Sequence, residues 1–374
     1  MKLLILKESL KSGLNIVERI AGKNLSLPIL ENVLISTKEN FLNLTTTDLE
    51  TTISWWGLAK IEKKGKITSP VKFLSNLISL LLKNSVDLEV KNSTLYIKSG
   101  NFQNQIQGFD PEDFPVIPKI ESAPYIKINN LQFIEGLSQV IEVISSTSTR
   151  PEISGVYFNF QKEFLKIVAT DSFRLAEKTL FLEKKIDKEY SFILPQKAAR
   201  ELINSLLEKK GKLSIYFNSN QVMFEFPMTE TDHPQLQIIS KLIDGEYPNY
   251  QEIIPKKYET QFITIKKEFV NQLKAAGLFS GKINEVKLKI DPEKKGMEIF
   301  SQSAGIGQNQ SFLTGKVQGK KTGISFNWRF LLDGLFNIKT KEVVFELSGE
   351  DGPAVLKPID DPSYLYVVMP IKGT

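Results

Sequence analysis

The sequence predicts an α+β protein built from three repeats of one unit, and three observations predict it. A strand–turn–strand phrase recurs, first as Phe41-Leu42-Asn43-Leu44-Thr45-Thr46-Thr47-Asp48-Leu49-Glu50 and again as Phe164-Leu165-Lys166-Ile167-Val168-Ala169-Thr170-Asp171-Ser172-Phe173-Arg174. Asp48 and Asp171 stand about one domain length apart. Each third of the chain opens with a short strand that runs into an amphipathic helix. A second helix begins in each third, at Pro70, Pro195 and Asn327. Thr-Asp after a strand is by itself a common turn, because both side chains can hydrogen-bond nearby backbone. The recurrence of its neighbours at a similar offset makes it part of a repeat.

In order along the chain, the opening helices are expected over roughly 7–21, 130–145 and 266–279. Their apolar faces are Leu10, Leu14, Val17 and Ala21; Phe133, Leu137, Val140 or Ile141, and Ile144; and Phe269 or Val270, Leu273 and Ala276. The second helices are expected to reach about Lys83, Lys209 and Asn337. Pro70 and Pro195 suit a first helical turn, where a missing N–H costs nothing, and Asn327 suits an N-cap. A strand pair follows each second helix: 86–90 with 94–97, 212–217 with 221–226, and 342–347 with a run near Ala354-Val355-Leu356. The Thr170-Asp171 phrase forms the corner of a hairpin whose second strand restarts at Arg174. The units close on Asp113-Phe114-Pro115, Glu246-Tyr247-Pro248 and Tyr366-Val367-Val368-Met369-Pro370. Linkers are expected at 115–124 and 248–257, and the domains at 1–120, 121–254 and 255–374.

Length and composition agree. A chain of 374 residues exceeds one ordinary core, and 41% apolar with 24% charged residues are globular values. Cys is absent, which removes disulfide and thiolate chemistry and fits a reducing, cytoplasmic setting. The four apolar residues between Lys2 and Lys7 are too few for a signal segment. No apolar run approaches the ~20 residues that span a bilayer, so no membrane partner is expected. A net charge of +5 permits a polyanionic partner without requiring one.

Catalytic chemistry is hard to assemble from these residues. There is no phosphate-binding Gly-Lys-Ser/Thr loop and no dinucleotide-type glycine fingerprint. The one histidine, His233, lies in the polar run Thr229-Glu230-Thr231-Asp232-His233-Pro234 and reads as a surface-loop residue. Neither a metal nor a cofactor is expected. A carboxylate-dependent hydrolase would need an acidic cluster, and pairs such as Asp360-Asp361 lie in turn-like sequence.

Helix faces opposite the apolar stripes carry cations and amides. Lys7, Lys11, Asn15 and Arg19 share one face, as do Lys72, Asn76, Ser79 and Lys83; Lys197, Arg200 and Asn204; and Lys267, Asn271 and Lys274. Any one of these is ordinarily a solvated helix face. Four among six helices point to phosphate contact, which is independent of base sequence. The helix at 130–145 departs from this with Glu135, Ser138, Gln139 and Glu142.

Leu27-Pro28-Ile29-Leu30, Thr47-Asp48-Leu49-Glu50, Phe109-Asp110 to Phe114-Pro115, Ser154-Gly155-Val156, Ala169-Thr170-Asp171 with Arg174-Leu175, Asp244-Gly245-Glu246-Tyr247-Pro248, Phe326-Asn327 and Val367-Val368-Met369-Pro370 run in order from end to end. In that order and spacing the chain resembles the bacterial sliding clamp, the beta subunit of DNA polymerase III. The resemblance implies three clamp-type domains, each with two helices on antiparallel sheet, in a head-to-tail homodimeric ring with its helices inward. It implies a non-enzymatic processivity factor without cofactor, cytoplasmic and associated with the nucleoid. Its partners would be double-stranded DNA, the polymerase III alpha subunit, the clamp loader and other replication and repair proteins. Phosphate contacts would fall on Lys11, Arg19, Lys23, Asn24, Lys72, Arg150, Lys197 and Lys274.

A partner-peptide pocket would fall on Ile153, Thr170, Ser172, Phe173, Arg174, Leu175, Pro248, Ile253, Ile283, Asn327, Phe330, Val367, Val368, Met369 and Pro370. In a terminal strand, Val367 and Val368 suit an ordinary core equally well. Period two turns Arg174 away from Phe173 and Leu175, toward a carboxylate or carbonyl that would hold the hairpin. Where the family usually has Gly-His or Gly-Tyr before this arginine, the chain has Ser172-Phe173. The dimer contact would pair the strand near 99–107 with the region of Leu278 and Met297 to Gln302. A non-encircling, peptide-binding scaffold of DNA replication or repair is the alternative reading.

Overall fold

A computed structural model describes residues 1–22, 26–117, 120, 125–145 and 149–371. The chain forms two compact units, one of residues 1–134 and 197–242, the other of residues 135–196 and 243–374. Six helices occur among the described residues: α1 (Lys7–Val17), α2 (Val71–Leu80), α3 (Asn130–Val140), α4 (Gln196–Leu206), α5 (Lys266–Gly277) and α6 (Trp328–Phe336).

In the first unit a five-stranded sheet runs Lys60–Lys63, Lys2–Leu6, Ser85–Lys91, Thr94–Ser99, Phe102–Gln107. An eight-stranded sheet joins Tyr125–Asn129, Lys212–Phe217, Gln221–Pro227 and Pro234–Lys241 to Thr51–Leu58, Phe41–Thr47, Asn32–Lys38 and Lys66–Pro70. The seam is an antiparallel ladder from Leu236 opposite Trp55 to Ser240 opposite Thr51. The helices α1 and α2 pack together, and α1 covers the strands 41–47 and 51–58. Leu10, Leu14 and Val17 are fully buried there, as the helical period requires.

The second unit repeats the plan. A nine-stranded sheet joins Tyr190–Pro195, Gly155–Phe160, Phe164–Thr170 and Arg174–Phe181 to Tyr364–Val368, Ala354–Pro358, Glu342–Leu347, Thr260–Ile265 and Lys316–Gly319. Its seam pairs Arg174 with Val368, Leu175 with Val367 and Ala176 with Tyr366. A four-stranded sheet runs Gly307–Thr314, Gly296–Ser303, Glu285–Asp291, Thr322–Asn327, and α5 and α6 pack together beside it.

Several expectations change. The helix α1 stops at Val17 and α2 at Leu80, where Leu81 turns extended (φ −67°, ψ 142°). The third helix ends at Val140 and continues only as a 3-10 turn, Ile141–Val143. Pro70 and Pro195 are strand residues, paired with Asn32 and Gly155, so neither occupies the first helical turn. Asn327 is the N-cap of α6, its Oδ1 accepting from the Arg329 N–H at 3.0 Å. The segment 248–257 contains the 3-10 turn Tyr250–Glu252, and Tyr250 is buried with Tyr247 in the second unit's core. Part of the linker expected at 115–124 lies outside the described residues. The strand Gly296–Ser303 is interior, flanked on both sides, with Met297 and Ile299 fully buried. Met297 to Gln302 therefore cannot offer a free edge; Gly307–Thr314 is the outer strand, while Phe102–Gln107 does lie at an edge.

Candidate functional site

The two Thr-Asp turns are the same object. Asp48 Oδ1 accepts from the N–H groups of Glu50 and Thr51 at 3.0 and 2.7 Å, and Asp171 Oδ1 from those of Phe173 and Arg174 at 2.9 and 3.0 Å. Thr47 and Thr170 donate their hydroxyls to the carbonyls of Thr51 and Arg174, and accept from the N–H groups of Leu49 and Ser172. Leu49 and Ser172 both sit at φ +76°, a left-handed conformation that favours glycine. Glycine would hold that geometry at less steric cost than Ser172 does.

The copies differ in what satisfies the second carboxylate oxygen. Asp171 Oδ2 accepts from Arg174 Nε at 3.0 Å, within its own turn. Thr51 fills that place in the first copy, and Asp48 Oδ2 instead pairs with Lys197 at the start of α4.

Around Arg174 the second unit builds a polar knot under an aromatic surface. Its guanidinium also pairs with Asp333 of α6, donates to the Glu142 carbonyl at 3.2 Å, and lies 4.5 Å over the Phe330 ring. The position is thus tied to three acceptors and one ring, the fork geometry that suits arginine. Phe330 stacks on Phe173 at 6.5 Å, and its carbonyl accepts from the Tyr366 hydroxyl at 2.8 Å. Gly334 lets α6 approach that tyrosine, since a Cβ there would lie 2.6 Å from its ring. Burial raises the Tyr366 phenol pKa, so it remains a donor, with Arg174 acting in the opposite sense. The Met369 N–H donates to the Phe173 carbonyl at 2.8 Å, extending the ladder past Val368.

The expected pocket residues separate into a surface and a floor. Phe173 is 63% exposed, and Phe330, Met369 and Pro370 are half-buried. Ile253 is also exposed, and Pro248 is half-buried with its carbonyl accepting the Tyr250 N–H. Beneath them Ile153, Leu175 and Val367 are buried in one cluster with Val168, Ile193, Tyr247, Tyr250 and Val355. Val368 and Thr170 are buried too, and Ser172 is exposed. Leu175, only 2% exposed, is a core residue of the folded chain rather than an anchor waiting for a partner. Ile283 lies on the loop after α5, at a cavity of about 430 Å³ lined also by Lys282, Phe300 and Gln302. Sequence reasoning missed Asp333 and Tyr366, whose roles depend on long-range contacts that no local motif marks.

The expected phosphate-contact residues also divide. In the first unit Arg19 Nη1 lies 3.6 Å from Glu201 Oε2, and Lys197 is paired with Asp48. In the second, Arg150 contacts Glu152 at 3.1 Å and the Ser172 hydroxyl at 3.2 Å, beside the hairpin rather than on a helix. Lys274 sits 5.3 Å over the Phe336 ring. Among the described residues Lys11, Lys72 and Lys274 make no ion pair. Lys23 and Asn24 lie outside the described residues. Lys7, expected on the same stripe as Lys11, donates to the Leu81 carbonyl at 3.2 Å and so fastens α1 to the end of α2. The unusual stripe of α3 also has a structural use: Glu135 pairs with Lys339 at 2.7 Å, and Gln139 donates to the Asn337 carbonyl at 2.7 Å.

Three family models match in succession: the N-terminal domain of the DNA polymerase III beta subunit over residues 1–118, its central domain over 127–249 and its C-terminal domain over 251–372. The chain is 28% identical over 380 residues to the beta sliding clamp of Synechococcus elongatus, covering 100% of this chain and 99% of that protein. It is 27% identical over 384 residues to the beta sliding clamp of Bacillus subtilis, covering 100% of both. Its fold matches the crystal structure of the Bacillus subtilis DNA polymerase sliding clamp with a TM-score of 0.94 at 26% identity, covering 100% of each chain. The DNA polymerase III beta subunit of Thermotoga maritima has the same fold, with a TM-score of 0.91 at 24% identity over 100% of each chain. With three clamp domains in series from end to end, the chain belongs to the DNA polymerase III beta subunit family.

Proposed function

We propose that this protein is a DNA sliding clamp of replication, a non-catalytic ring that encircles duplex DNA and tethers a polymerase to it. The observation that carries this reading is the unbroken succession of the three clamp-domain matches. Tethering raises the local concentration of an enzyme at its template without any bond being made or broken. In this reading the domains span 1–120, 121–254 and 255–374. A single chain supplies half a ring, and two chains close it head to tail through the outer strands Phe102–Gln107 and Gly307–Thr314. The family membership and the exposed, unpaired edges support that closure.

DNA would be held through phosphates, by Lys11, Lys72 and Lys274 first, with Arg19, Lys23, Asn24, Arg150 and Lys197 as further candidates. The partner pocket would be the Phe173–Phe330–Met369 surface, rimmed by Pro248, Ile253 and Pro370 over the buried floor. Its occupants would be Leu/Phe-bearing segments of the polymerase III alpha subunit, the clamp loader and other replication and repair proteins. The protein would work in the cytoplasm, on the nucleoid.

Sedimentation and a retention assay test this together. The expected result is a species of twice the 42.4 kDa chain mass that, once loaded, stays on circular DNA and runs off linear DNA. A monomer at micromolar concentration, or equal retention on both DNA forms, would leave the non-encircling scaffold as the better account.

A further inference from the structure

We infer that Asp48 and Glu201 withhold Lys197 and Arg19 from DNA, so that fewer cations grip the phosphates than the helix faces offer. The inference rests on the reading that this chain contacts DNA through phosphates.

The first ground is the comparison of the two hairpins. Asp48 Oδ1 already does everything the turn needs, by accepting from Glu50 and Thr51. Asparagine makes the same local turn. The charge of Asp48 is therefore surplus to the turn, and Oδ2 spends it on Lys197. In the second copy the surplus stays inside the turn, on Arg174.

The second ground is relative exposure. Asp48 is 20% exposed where Lys197 is 51%, and Glu201 is 11% exposed where Arg19 is 27%. In both pairs the carboxylate is the more deeply set partner and the cation the more accessible one. A carboxylate fixed in that way competes with a mobile phosphate oxygen for the same donor. At 3.6 Å the Arg19–Glu201 pair is beyond hydrogen-bond reach, and Glu201 Oε2 has no hydrogen-bond partner among the described residues. Arg19 also donates through Nε to the Asn15 carbonyl at 3.0 Å, which fixes its head near α1. Among the described residues, Lys11 and Lys72 in the same unit carry no such tie. A clamp that must move along DNA is served by a small number of weak, exchangeable contacts.

A purely structural role, stapling α4 to the hairpin and to α1, makes a different forecast. Asp48→Asn keeps the Oδ1 acceptor and Glu201→Gln keeps the shape, so the fold survives while the competing charge is gone. The full chain is titrated against a labelled 20-base-pair linear duplex by anisotropy between 50 and 200 mM salt. Each cation returned to the phosphates steepens the log–log salt dependence by about 0.9. Asp48→Asn is thus expected to bind more tightly at 50 mM salt, and the advantage over wild type shrinks roughly threefold by 200 mM. Adding Lys197→Gln to Asp48→Asn is expected to restore the wild-type slope. An Asp48→Asn slope equal to wild type, or weaker binding than wild type, would overturn the inference while leaving phosphate contact intact. Wild-type binding without any salt dependence would overturn the phosphate reading itself, and this inference with it.

Discussion

Leu175 and Phe173 are two residues apart in one hairpin and should fail in opposite ways. Leu175 is 2% exposed in the cluster of Ile153, Val168, Ile193, Tyr247, Tyr250, Val355 and Val367. Leu175→Ala would leave a cavity among these rigidly placed neighbours, and buried Leu→Ala changes cost about 2–5 kcal/mol. Phe173 is 63% exposed and touches Phe330 along one face, so Phe173→Ala should cost the fold little. As a pocket anchor it should instead cost about 1–3 kcal/mol of peptide affinity, roughly a 5- to 150-fold loss. Two measurements separate the cases. Hydrogen exchange over 164–181 reads local opening, and a titration with a labelled polymerase C-terminal peptide reads affinity. Leu175→Ala should speed exchange through these strands by about 30- to 5,000-fold, the exponential of its stability cost. Phe173→Ala should leave exchange near wild type and weaken the peptide. If Leu175→Ala left exchange unchanged yet abolished binding, Leu175 would be an anchor, and its burial would not describe the working molecule.

Met369→Ala should weaken the same peptide about 5- to 150-fold in the same titration, with sedimentation unchanged, because Met369 is half-buried on the proposed pocket surface and on no sheet edge. Ser172→Gly and Leu49→Gly each relieve a left-handed backbone at φ +76°; net of glycine's unfolded-state entropy, thermal unfolding should report a gain of about 0.5–1 kcal/mol apiece. Burial raises the Glu201 carboxyl pKa, with Arg19 opposing; the folded chain then holds that proton to higher pH than the unfolded chain, so stability falls as pH rises through the interval between the two values. Glu201→Gln removes that slope, and urea midpoints at a series of pH values should show its advantage growing from acid toward neutral. Phe102→Asp or Leu278→Asp, at exposed positions, should leave each chain folded and reduce the sedimenting mass to 42.4 kDa.

Much of the fold was legible because the repeats are local in character. The strand–helix openings and the Thr-Asp turns are short-range patterns, and period and turn chemistry place them within a few residues. Helix ends were overestimated at α1, α2, α3 and α4, because apolar spacing continues into the turns that follow. Pro70 and Pro195 misled for a related reason: each satisfies a helix-start rule and also ends an edge strand, and the ladder decided. The interior place of Gly296–Ser303 was out of reach, since adjacent strands of similar pattern do not reveal which is outermost. At the site, strand period could turn Arg174 away from Phe173 and Leu175, toward a carboxylate or carbonyl. Asp333 could not be named as that carboxylate, because the two are brought together by the fold and not by spacing.

The two seams carry a consequence for how the molecule can be divided. The central match, residues 127–249, contributes four strands to the eight-stranded sheet and four to the nine-stranded one. One repeat of the sequence is therefore not the unit that closes a sheet. Excised alone, that segment would expose the strand Pro234–Lys241 without its partner Thr51–Leu58, and Arg174–Phe181 without Tyr364–Val368. Both edges carry buried apolar residues, Ile238 and Leu175 among them, which in isolation would template pairing with other copies. During synthesis the first seam can close once residue 242 has emerged, whereas the Arg174–Phe181 edge waits for the strand Tyr364–Val368. For that interval the nascent protein carries an unpaired, apolar edge, which only the strand Tyr364–Val368 covers.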